Sequence, residues 1–131
     1  MSNLQKLFDL GEKAYDEIQK ELSQRLGQND LTHHKLKYQE NSLWRRHIVT
    51  IMASDKFSED AKLNAAGAWT HYINAQKHFS QHLDLLSPPD LLDGAGQEVF
   101  KSRDDLIAVM EAFGYDLEKE SKQIESKIKK K

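Results

Sequence analysis

Residues 58–86, SEDAKLNAAGAWTHYINAQKHFSQHLDLL, decide the fold. Their apolar positions, Ala65, Ala66, Trp69, Tyr72, Ile73, Phe79, Leu83 and Leu86, recur mostly every three or four residues. That is the period of a helix with one buried face, not the alternation of a strand. Ser58 stands just before Glu59 and Asp60, placing a hydroxyl cap and two acids where the free amides and positive dipole end of a helix need them. The pattern predicts about 28 helical residues, roughly 40 Å, enough to span a small domain. Ser87-Pro88-Pro89-Asp90 ends it, because proline donates no backbone hydrogen bond and restricts the residue before it.

On the N-terminal side, Leu4, Leu7, Phe8, Tyr15, Ile18, Leu22 and Leu26 repeat the helical spacing. Ser2 with Gln5 three residues later reads as a capping box, and Gly27 as a C-terminal stop, so a helix is expected from about residue 3 to 26. Asp30 then caps a second helix whose apolar face is Leu36, Leu43, Trp44, Ile48 and Ile51, broken at Ser54-Asp55-Lys56. After the prolines, Gly94-Ala95-Gly96 reads as a flexible linker. From about Gln97 a fourth stripe follows, made of Val99, Phe100, Leu106, Ile107, Met110 and Phe113. Gly114 bends or ends that helix, and Asp116 caps a restart. The last segment, 116–131, has apolar residues only at Leu117, Ile124 and Ile128, with Ser121 between them and a basic end. So narrow a seam predicts a helix that projects as a docking or oligomerisation extension. The expected fold is a single all-α domain over 1–131, a bundle of four or five mostly antiparallel helices with short loops.

Composition removes whole classes of function. The chain has no cysteine, which excludes disulfide frameworks, thiolate metal sites and cysteine nucleophiles and suits a reducing compartment. At 38% hydrophobic and 31% charged residues it is too apolar for disorder. No apolar run approaches the ~20 residues of a membrane span. Charged residues interrupt the first 30 positions, so no secretory signal is read and a cytoplasmic location is expected. Nucleophile elbow, phosphate-binding glycine loop, HExxH and dinucleotide fingerprint are all missing, so neither enzymatic activity nor a cofactor is expected.

Three histidines, His71, His78 and His82, are spaced by seven and four on the third helix. On a helical wheel centred on Trp69 they fall at roughly 180° to 220°, opposite the apolar face. Bundle metal centres are built inward from facing helices, so no metal is assigned to them. A weak surface chelate at His78 and His82 is kept as a minor alternative. The stripe reads instead as a partner face, flanked by the small residues Gly67, Ala68 and Ala75.

Charge is unevenly distributed behind a net of −2. Residues 31–53 carry Lys35, Lys37, Arg45 and Arg46 against Glu40 alone, and Trp44 adjoins the arginines. A nucleic-acid-binding regulator using this helix is therefore the alternative function. Residues 84–120 carry ten acids, Asp104 and Asp105 among them, against Lys101, Arg103 and Lys119. An acidic surface of this kind steers basic partners. The leading expectation is a non-catalytic protein-binding module, an adaptor, immunity-type inhibitor or regulatory subunit. Its partner face is drawn from His71, His78, His82, Asp104, Asp105, Leu117, Ile124 and Ile128, with a homodimer through the C-terminal seam as corollary.

Overall fold

The computed structural model describes residues 2–25, 31–81 and 95–129. These form an all-α bundle of α1 (Asn3–Arg25), α2 (Leu31–Ala53), α3 (Glu59–Gln81), α4 (Ala95–Glu111) and α5 (Leu117–Lys129). No described helix is long and apolar enough to cross a membrane.

The helix ends follow local chemistry. Ser2 Oγ accepts the Gln5 amide at 3.1 Å, while the Gln5 side chain donates forward to Asp9 at 2.8 Å; of the expected capping box, the serine half forms. Ser58 Oγ accepts the Ala61 amide at 3.1 Å. Gly114, at φ +90°, closes α4 in a Schellman turn. Its own amide bonds Glu111 O at 3.0 Å, and the Tyr115 amide bonds Met110 O at 3.1 Å. Asp116 Oδ1 then accepts the Lys119 amide at 3.1 Å and starts α5. Gly27, Asp30 and the 87–90 proline turn lie outside the described residues, as does the predicted end of the third helix beyond Gln81. The linker expected at 94–96 is shorter than read: α4 already includes Ala95 and Gly96. First-turn amides have no intrahelical partner to lose, so glycine is tolerated there.

α3 is the centre of the bundle, flanked by α1 and α4 and crossed by α2. Trp69, Tyr72 and Ile73 on α3 are fully buried with Trp44, Ile48 and Ile51 of α2, Ile18 of α1, and Leu106 and Met110 of α4. The ring of Trp69 stacks on Phe8 and tilts against Tyr15. The closest packing, α1 on α3, is parallel, since Leu7 adjoins Gly67 and Glu17 pairs with Lys77. Gly11 makes that approach possible. A Cβ there would stand 2.5 Å from Thr70 Oγ1 and 2.7 Å from Trp69 Cζ3. α3 and α4 run antiparallel, with Phe57 edge-on to Phe113 at one end and His71 bonded to Glu98 toward the other.

Two expectations are corrected. α5 does not project: it lies along α2 and touches α4, and Leu117 is fully buried. Sequestering a leucine is worth about 1.5–3 kcal/mol, which a projecting helix would forgo. Phe100, read as part of the buried stripe of α4, is 63% exposed. It sits about 120° around the helix from Leu106, past the rim of the buried face. Ser102 occupies the inner position instead and satisfies its hydroxyl on Glu98 O at 2.7 Å.

Candidate functional site

α5 docks through polar contacts. Glu40 on α2 is 1% exposed and accepts the Ser121 hydroxyl. Arg103 of α4 donates to the same carboxylate at 3.3 Å, lays its guanidinium over Trp44 at 5.4 Å, and so ties α4, α2 and α5 together. Lys37 stands 3.6 Å from the other carboxylate oxygen and donates to Tyr72 Oη at 3.0 Å. About two turns along α2 from Glu40, His47 Nε2 lies 2.8 Å from Glu120 Oε2, its ring stacked on Tyr115 at 4.0 Å. Farther in, Asn41 and Gln76 exchange hydrogen bonds at 2.9 Å in both directions. Asn41 also donates to Gln19 Oε1 at 3.0 Å, which joins α1, α2 and α3. This interior is a positioning device, and it gives α5 one register on α2.

That register opens a groove of about 450 Å³ between the outer edges of α2 and α5. Tyr38, Leu43 and Ile124 supply its apolar walls, and Gln39, Ser42, Arg46, Glu120, Gln123 and Lys127 its polar ones. Lys35 is eleven residues before Arg46, hence within about 20° of it on the α2 surface, and extends the basic rim. Lys35, Arg46 and Lys127 have no ion-pair partner among the described residues. Such a surface can hold an amphipathic segment, with apolar contact at the centre and charge at the edge.

The residues singled out in the sequence are dispersed. His71 is exposed and bonds Glu98 at 2.6 Å, and this bond holds the Glu98 carboxyl below its ordinary value. His78 is exposed on the same outer face of α3; His82 lies outside the described residues. The small residues flanking the histidines serve the bundle itself: Gly67 faces Leu7, and Ala75 is buried. Asp104 and Asp105 are exposed on the outer side of α4. Leu117 belongs to the core, so it leaves the partner face. Ile124 lines the groove, and Ile128 is half-buried.

The four cations of α2 are divided by the fold. Lys37 turns inward to Tyr72 and Glu40. Arg45 bonds Glu12 of α1 at 2.8 Å, a contact that raises its pKa further, and lies over the Tyr15 ring. Trp44 is 1% exposed and offers no face to a base. Only Lys35 and Arg46 remain on the outer side. Among the described residues no group of three or more histidine, aspartate or glutamate side chains is arranged to hold a metal ion.

Sequence reasoning missed Tyr38, Gln39 and Ser42 as groove residues, and Glu40 and Ser121 as the anchor beneath α5. The signal was present in the two polar residues that interrupt apolar stripes, Glu40 four before Trp44 and Ser121 four after Leu117. Each sits one turn from a buried residue and so shares its face. No family model, no curated protein and no solved structure matches this chain.

Proposed function

We propose that this chain is a non-catalytic protein-binding module that holds a segment of a partner protein in the groove between α2 and α5. The observation that carries the reading is the groove's make-up: Tyr38, Leu43 and Ile124 inside a rim that includes Arg46 and Lys127, on a polar frame that fixes both helices. Apolar centres with polar rims are the general anatomy of protein–protein contacts. The acidic and histidine surfaces of α3 and α4 lie outside the lining of this groove.

The test is site-specific photo-cross-linking in the native host, with the reactive side chain at Leu43 and, as control, at exposed Asn74 on α3. A defined adduct at Leu43 that is absent at Asn74 identifies the partner. The purified partner must then bind the wild-type chain and lose at least about tenfold, or roughly 1.4 kcal/mol, on Arg46→Glu or Ile124→Asp with helicity unchanged. Equal adducts from both faces, or full binding by both variants, would refute the proposal. Nucleic acid as the cross-linked species would transfer the groove to the alternative reading.

A further inference from the structure

The groove has a matching surface on the same molecule. On α4, Phe100, Asp104, Ala108 and Glu111 fall within about 80° of one another on the helical wheel, and all four are exposed. Phe100, at 63%, is the most exposed large apolar side chain among the described residues. Asp104 and Glu111 have no ion-pair partner among them. The strip therefore combines one aromatic anchor with two unneutralised carboxylates. The groove offers the converse, an apolar floor and unneutralised Lys35, Arg46 and Lys127. Dimensions agree as well. Phe100 to Glu111 and Lys35 to Arg46 are both eleven-residue helical spans, about 16 Å each.

A chain cannot place its own strip in its own groove, because α5 intervenes. α5 sits over the seam of α2 and α4: its Ser121 hydroxyl bonds Glu40 of α2 and accepts from Arg103 of α4. Going round α4, Leu106 faces the core, Arg103 faces α2 and α5, and the Phe100 strip follows on the solvent side. Groove and strip thus flank α5, one on each side. A two-fold axis running along α5 would bring each groove onto the other copy's strip, so that both contacts form at once and the assembly closes.

We infer that the groove's occupant is the α4 strip of a second copy of this chain, giving a two-fold symmetric homodimer. Phe100 of each copy sits against Tyr38, Leu43 and Ile124, and Asp104 and Glu111 face the basic rim. The inference rests on the groove reading above and names its partner. It replaces the dimer expected from the Leu117, Ile124 and Ile128 seam, since α5 already lies on its own α2.

Charge-reversal pairing tests it on the full chain by sedimentation velocity at low salt. The wild type should dimerise with rising concentration, and should dissociate near 1 M salt, where the Debye length is roughly 3 Å. Asp104→Arg and Arg46→Glu, both at exposed positions, should each sediment as monomers, because each sets like charges against one another in its own homodimer. Mixed one to one, the two variants should form a heterodimer, since one interface then pairs Arg with Glu and the other is wild type. That heterodimer also shows that both variants are folded. A wild type that is monomeric at every concentration, or a dimer unaffected by either reversal, overturns the inference. In the first case, a Leu43 adduct with a foreign protein would leave the groove reading standing by itself.

Discussion

Replacing Gly11 with alanine sets two opposing quantities against each other. Alanine is favoured over glycine in a helix interior by about 0.8–1.0 kcal/mol, so a Gly11→Ala chain would be more stable if α1 stood free. At this position the new Cβ would lie 2.5 Å from Thr70 Oγ1, and 2.7 and 2.9 Å from two carbons of Trp69. Thr70 donates to Leu7 O, and Trp69 is fully buried between Phe8 and Tyr15, so neither can yield without breaking a second contact. Overpacking of this kind costs about 1–3 kcal/mol, and three contacts under 3 Å put it in the upper half of that range. After the helix gain is subtracted, the net loss is about 1–2 kcal/mol, or a Tm lower by roughly 4–7 °C for a chain of this size. Urea unfolding followed by circular dichroism would measure it. Gly67, across the same interface, is the matched control. Its Cβ would meet only Leu7 Cδ2 at 3.8 Å, so Gly67→Ala should stabilise by about 0.5–1 kcal/mol. If Gly11→Ala also raised the midpoint, α1 and α3 would not approach as described, and the parallel packing at the centre of the bundle would be wrong.

Two further predictions concern charge. Glu40→Leu alone should destabilise by about 3–5 kcal/mol, because it strands the Arg103 guanidinium beside Trp44, whereas Glu40→Leu with Arg103→Leu should recover most of that loss; a strictly additive double variant in urea melts would show that the two residues do not act as a pair. On the acid side, Glu17 and Glu98 are held below their ordinary value of 4.5, chiefly by hydrogen bonds from Lys77 and His71 respectively. A carboxyl depressed in the folded state stabilises above its unfolded pKa, and that stability is lost as pH falls through the lower folded value. Glu17→Gln with Glu98→Gln should therefore flatten the stability–pH curve below about pH 4.5; an unaltered acid limb would refute the two bonds.

The helices were legible because each carries its own local signals. Ser2, Ser58, Gly114 and Asp116 act within four residues of themselves, and their roles follow from backbone chemistry wherever the rest of the chain lies. Which helix lies against which was not legible. The seam of α5 looked too narrow to pack because only Leu117, Ile124 and Ile128 were counted. The structure adds Ser121, which a buried carboxylate on α2 makes into an inner position. Likewise no local pattern singles out Gly11 inside its helix. Its function appears only when Trp69 and Thr70, nearly sixty residues away, are brought against it. Phe100 failed for the opposite reason: periodicity identifies the buried face, but not where that face ends. The site was legible only in pieces, Ile124 among them, because a groove between α2 and α5 depends on a contact that no local pattern encodes.

Charge shows most clearly how folding sorts what the sequence mixes. Lys37 and Arg45 of the basic helix are engaged by Tyr72, Glu40 and Glu12, and Glu98 and Glu120 of the acidic stretch by histidines. After these pairings the groove side of α2 and α5 keeps Lys35, Arg46 and Lys127 without an ion-pair partner among the described residues, and the Phe100 strip of α4 keeps Asp104 and Glu111. Opposite signs are thus left on the two flanks of α5, and at physiological salt a Debye length of about 8 Å keeps them from contributing much to stability. Charges that do little for folding still act on an approaching surface, where they set orientation and exclude wrong registers. The apolar groove and the exposed Phe100 would bind indiscriminately if left to themselves. On the proposed reading, the signs arranged around them give each a preferred counterpart, and selectivity would come from the residues that the interior left unpaired.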